Sequence, residues 1–126
     1  MINYAEAFPR TEWTMKIKDI ATVVEGSILC SPDAVDTDIK SACAFDMMSD
    51  VLAYVRDQGV LITGLVNPQV VRTAVMVDIA CIVFVCGKRP DQDMIKLAEN
   101  YSIVFIATEM STYEAAGRLY AAGLAA

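Results

Sequence analysis

The chain reads as an α/β domain with a parallel sheet covered by helices on both faces. An internal repeat predicts the parallel sheet. VLITG begins at Val60, IVFVCG at Ile82 and IVFIAT at Ile103, starting points 22 and 21 residues apart, and each run leads into a turn and an amphipathic stretch. That spacing accommodates a five-residue strand, two short loops and a helix of about three turns, the βα unit of a parallel sheet. The runs are also apolar at every position, as strands covered on both faces require. Finally, each amphipathic stretch opens on a helix-start signal: Asn67-Pro68, Pro90-Asp91 and the capping box Ser111-Thr112-Tyr113-Glu114.

The elements follow in order. Residues 1 to 14 show no clear period and contain Pro9, so they read as an arm whose Tyr4, Phe8 and Trp13 need cover from a neighbouring subunit or from the chain's own core. The domain proper is expected over 15 to 126. Thr14 is placed to cap a helix presenting Ile17, Ile20, Ala21 and Val24 on one face, with Gly26 ending it. SILC is a short strand. IKSACAFD is a second, and MMSDVLAYVRDQ is a helix with Met48, Val51, Leu52 and Val55 inward and Gly59 behind it. The repeat then supplies three inward faces: Val70, Val71, Ala74 and Val75; Met94, Ile95, Leu97 and Ala98; and Ala115, Ala116, Leu119 and Tyr120. Gly123 closes the last helix.

Composition narrows the function classes. The hydrophobic share is 56% and the mean hydropathy +0.43, more apolar than a soluble monomer of 126 residues needs, which points to a homodimer or larger homo-oligomer. No apolar stretch reaches bilayer length, because Arg56, Arg72, Asp78, Lys88 and Asp93 interrupt every candidate, so no membrane partner is expected. The first residues lack the pattern of a signal peptide, and a cytoplasmic location is expected. Sixteen acidic against ten basic residues give a net charge of -6, which disfavours nucleic acid. Cys30, Cys43, Cys81 and Cys86 form no C-x-x-C, and three of them fall in apolar runs as buried thiols would. Asp33, Asp36 and Asp38 do not match a calcium-loop spacing, so no metal site is assigned, and no cofactor is expected.

In a parallel sheet the strand carboxyl ends share one rim, beside helix N-termini where anions are favoured. Thr63, Gly64, Asn67, Gly87, Lys88, Arg89 and Thr108 are therefore candidate ligand-binding residues for a phosphate or carboxylate. The alternative stays open: glycine permits a tight turn, threonine and asparagine cap helices, and basic loop residues are commonly solvated. Catalysis has less to draw on. The chain has no histidine, no G-x-x-x-x-G-K-[ST] and no G-x-G-x-x-G, so no catalytic residue is assigned. A thiol-dependent enzyme would have to use Cys86, whose neighbours Lys88 and Arg89 favour a thiolate.

Those residues resemble a known family. The segment from LITGLVNPQVVRTAVMVDIACIVFVCGKRPDQDMIKLAENYSIVFIAT through TYEAAGRLYAAGL, with MKIKDIATVVEGSILC before it, is similar to the DRTGG domain family from about Met15 to Leu124. The D-R-T-G-G sequence itself is absent, since Leu65-Val66-Asn67 follows Thr63-Gly64, and whatever that motif does elsewhere is not carried over. The resemblance implies a three-layer α/β/α fold with a mixed, mainly parallel sheet, like the N-terminal domain of HPr kinase/phosphorylase without its kinase domain. It also implies a regulatory or assembly role, either beside a partner enzyme in anaerobic metabolism or alone. Set beside this is a purely structural interaction module with no ligand.

Overall fold

The computed structural model describes residues 14–126. The reading of residues 1 to 13 as an arm lies outside that range. Within it, the chain begins with β1 (Met15–Lys16), α1 (Ile17–Val23), β2 (Ser27–Ile28), β3 (Asp38–Ile39) and β4 (Ser41–Ala44). It continues through α2 (Met48–Tyr54), β5 (Gly59–Thr63), α3 (Pro68–Met76), β6 (Cys81–Phe84), α4 (Gln92–Asn100), β7 (Val104–Ala107) and α5 (Thr112–Ala121).

One five-stranded sheet carries the fold, in the order β2-β7-β6-β5-β4. The strands β4 to β7 lie side by side in chain order and pair in parallel, as the repeat requires, while β2 runs antiparallel to β7 and makes the sheet mixed. Strand alternation divides the core. Val60, Ile62, Cys81, Val83, Val104 and Ile106 meet α1 and α5 on one face. Leu61, Ile82, Phe84 and Phe105 meet α2, α3 and α4 on the other. Phe84 and Phe105 are fully buried and pack edge to face, ring centroids 5.0 Å apart, a geometry contributing about 0.5–1.5 kcal/mol beyond area burial.

The helix starts are written as expected. The Asn67 side chain accepts from Gln69 N–H, that of Asp91 from Met94 N–H at 2.9 Å, and that of Ser111 from Glu114 N–H. Gly123 closes α5 with φ 100.

Four local expectations are corrected. Thr14 does not cap α1, because Met15 and Lys16 pair with Ile39 and Asp38 first and the helix starts at Ile17. The left-handed residue after α1 is Glu25 (φ 51) rather than Gly26. Gly26 is required for space instead: a Cβ there would lie 2.5 Å from Ile106 Cγ2 and 2.9 Å from the Ala107 carbonyl oxygen. Gly59 does not sit behind α2 as a stop but opens β5, and Gln58 (φ 53) makes the turn. Finally, Leu52 and Tyr120 are not inward. Leu52 is 48% and Tyr120 74% exposed, because the sheet ends at β4 and only Ala125 pairs along that edge.

Candidate functional site

The carboxyl ends of β4, β5, β6 and β7 gather on one rim, as parallel pairing dictates. Each connection leaves it differently. After β5 and β6 the chain enters α3 and α4 on one face, and after β7 it enters α5 on the other. The β6 and β7 loops therefore diverge, but their backbones are stitched together. Cys86 N–H donates to the Met110 carbonyl at 2.8 Å and Gly87 N–H to that of Thr108 at 3.0 Å. Cys86 (φ 60) and Gly87 (φ 71) are successive left-handed residues closed by Lys88 N–H to the Val85 carbonyl, the φ signature of a type I′ turn.

The seven predicted residues divide into two groups. Thr63, Gly64, Gly87, Lys88 and Arg89 share the rim, and the Lys88 stem comes within 3.9 Å of where a Gly64 Cβ would stand. Gly87, Lys88 and Arg89 are exposed. Thr108 is buried and its hydroxyl is committed within the protein: it donates to the Val24 carbonyl at 2.6 Å and accepts from Met110 N–H at 3.1 Å. The Asn67 side chain is committed to capping α3.

One rim residue was missed by the sequence reading. Asp46, between β4 and α2, accepts through Oδ1 from both the Thr63 hydroxyl and Gly64 N–H, each at 2.9 Å. The Thr63 hydroxyl also accepts from Leu65 N–H. A carboxylate of the chain thus takes the donors that an anion would use. Across the rim, Glu109 lies over Gly87, where an added Cβ would come within 2.5 Å of Glu109 Oε2. The available signal was an acid at the end of one strand-like run and a Thr-Gly turn at the end of the next, which meet only once the two strands pair. As the last residue of the strand-like run IKSACAFD, Asp46 carries no local sign of that pairing.

The thiols are graded by burial. Cys81 and Cys30 are buried and their pKa values rise for that reason first; burial also pushes the Cys43 thiol up to about 11. Cys86 alone of the four is exposed.

A family model for the DRTGG domain matches residues 19–122. The chain belongs to the DRTGG domain family. Among solved structures, this DRTGG domain is similar to one described as the CBS and DRTGG domains of the regulatory region of Clostridium perfringens pyrophosphatase, complexed with an activator, diadenosine tetraphosphate. The TM-score is 0.67 at 11% identity, over 87% of this chain and 47% of that one, so the likeness is one of fold and spans about half of the other chain. No curated protein matches. Among the described residues, no helix is long and apolar enough to cross a membrane, and no group of three or more histidine, cysteine or acidic side chains is arranged to hold a metal.

Proposed function

We propose that this DRTGG domain is a regulatory and assembly module that self-associates through the exposed face of α2 and responds to a small anion at the rim. The observation that carries the reading is the position of Asp46. Its carboxylate sits on the Thr63 and Gly64 donors, and Met47, the next residue, is the N-cap position of α2. A phosphate or carboxylate that competes for those donors, with Lys88 and Arg89 beside them, displaces Asp46 and with it the start of α2.

The helix so moved carries unpartnered apolar surface. Val51 is its only fully buried residue, while Met47 (64%), Leu52 and Tyr54 (67%) are exposed and Tyr54 stacks on Phe45. Apolar side chains exposed along one short helix are what a self-association surface would cover. The relative described above is complexed with a nucleotide polyphosphate, which makes polyphosphates the first anions to try. A partner enzyme docking on the same face is the wider setting of this proposal.

A second reading, an interaction module that binds no ligand, draws on a specific observation: the Thr108 hydroxyl and the Asn67 Oδ1 are already engaged within the protein. Thiol chemistry at Cys86 has less support, since the chain offers no histidine as base. Sedimentation of the wild type and of a Leu52→Asp variant tests the assembly claim. The expected result is an oligomer for the first and a monomer for the second. A wild type that stays monomeric at high concentration refutes it.

A further inference from the structure

Two clefts open on the two faces of the sheet at the same strand. The first, of about 410 Å3, lies between β4 and α5, and the second, of about 380 Å3, between β4 and the end of α2. Ala42, Cys43, Ala44 and Ala126 line both, so the clefts are the two sides of one edge. No charged side chain lines the first, although charged residues make up 21% of the chain, and Tyr113 and Tyr120 flank it. Depletion of charge with enrichment of tyrosine marks the core of a protein interface.

The floor of the first cleft is shaped for a group from outside. Tyr113, Gly117 and Tyr120 fall on one side of α5 by their i, i+4, i+7 spacing. Glycine is unfavourable inside a helix relative to alanine, and no packing within the chain requires it here, since nothing lies within 4 Å of where a Gly117 Cβ would be. The missing side chain leaves a hollow between two rings, and a ring projecting from a second α5 fits such a hollow.

Area decides how far the contact must extend. A fully exposed tyrosine presents about 200 Å2. Tyr113 (89% exposed) and Tyr120 then offer about 330 Å2 per copy and about 650 Å2 for a pair, short of the roughly 1,000 Å2 that a specific interface needs. Adding Tyr54 on the other side of β4, with Met47 and Leu52 of α2, carries the pair past that figure. Neither face suffices alone; the two together do.

We propose that a second copy of the chain docks across the β4 edge through one isologous interface, in which α5 packs on α5, with a tyrosine of each copy over Gly117 of the other, while α2 packs on α2. This rests on the α2 reading above and extends it to the opposite face. A two-fold axis normal to the sheet keeps each face on its own side, so like helices meet. Ala125 already pairs with Ser41 and donates its carbonyl to Ala42 N–H on that edge, so the copies meet through their helices and not by strand pairing.

Sedimentation velocity across a concentration series tests this on the full chain, comparing the wild type with Leu52→Asp, Gly117→Glu and Tyr120→Asp. Glutamate at 117 enters open space and is a better helix former than glycine, so the fold is retained, and circular dichroism checks all three variants. The wild type should reach twice the 13.7 kDa chain mass and no more, because one isologous interface closes at a dimer. Each variant should weaken association at least about tenfold. Gly117→Glu and Tyr120→Asp dimers as tight as the wild type, beside a monomeric Leu52→Asp, overturn the proposal and leave the α2 reading standing. Loss of association in the two α5 variants alone, with Leu52→Asp unaffected, overturns the α2 reading and the single interface with it. Growth beyond a dimer overturns the proposal by making α2 and α5 separate contacts, and a monomeric wild type overturns both readings, leaving the edge to a different protein.

Discussion

The Thr108 hydroxyl lies 2.6 Å from the carbonyl oxygen of Val24, and through that bond the loop leaving β7 is fixed to the end of α1, 84 residues earlier. The Thr108 hydroxyl oxygen accepts in turn from Met110 N–H. Valine at 108 keeps the shape but leaves a buried carbonyl and a buried N–H unpaired. Thr108→Val is expected to cost about 1–3 kcal/mol, read as a lower urea midpoint with unchanged slope. An unchanged midpoint would mean that the bond contributes nothing.

Gly26 is the position where the α1–β2 turn meets β7 most closely. A methyl group there would overlap Ile106 Cγ2 and the Ala107 carbonyl. Gly26→Ala is expected to destabilise by about 1–3 kcal/mol, the usual cost of overpacking a core, measured by thermal or urea unfolding. Tolerance of alanine would show that β2 can move away from β7 freely.

How much of this was legible follows from what each residue depends on. The parallel strands, their order and the three helix caps are set by local periodicity and by Asn67, Asp91 and Ser111, which signal over three or four residues. Leu52 and Tyr120 have the right helical spacing for the core, yet face outward because β4 is the last strand of the sheet and only Ala125 pairs along its outer edge. Helical period says which residues share a face, not whether the sheet extends beneath them. The rim was legible as a place but not in its internal pairing. Asp46 and Gly64 are 18 residues apart and meet only through strand adjacency, and the hydroxyl of Thr108 is spent on Val24 at the end of α1, which no local pattern announces.

The buried thiols set an alkaline limit. An unfolded cysteine ionises near its ordinary value of 9.0, whereas Cys43 in the fold does so at about 11 and Cys81 is pushed up further. Between those values the unfolded chain has lost protons that the folded chain retains. The stability these groups contribute is therefore full below pH 9 and falls as pH rises through the folded value. Urea midpoints should decline from about pH 9 upward, and less steeply in a Cys81→Ala variant. In the native state at pH 8 a thiol reagent should label Cys86 first, with Cys30 and Cys81 reacting only on unfolding. Rapid labelling of all four would contradict the burial.

Asp46→Ala removes the carboxylate from the Thr63 and Gly64 donors. Because Asp46 is exposed, the loss of stability should be no more than about 1–2 kcal/mol. Affinity for inorganic pyrophosphate, followed by calorimetry, should rise relative to the wild type. An unchanged or weaker interaction would show that the carboxylate does not stand in an anion's place.

Coupling between the rim and the α2 face is tested most directly by sedimentation velocity across a concentration series, with and without inorganic pyrophosphate. Regulation through Asp46 predicts that the anion shifts the association midpoint of the wild type, while a Lys88→Ala, Arg89→Ala double variant, equally well folded, does not respond. An association midpoint in the wild type that is the same with and without the anion, at concentrations where binding is saturated, would contradict it.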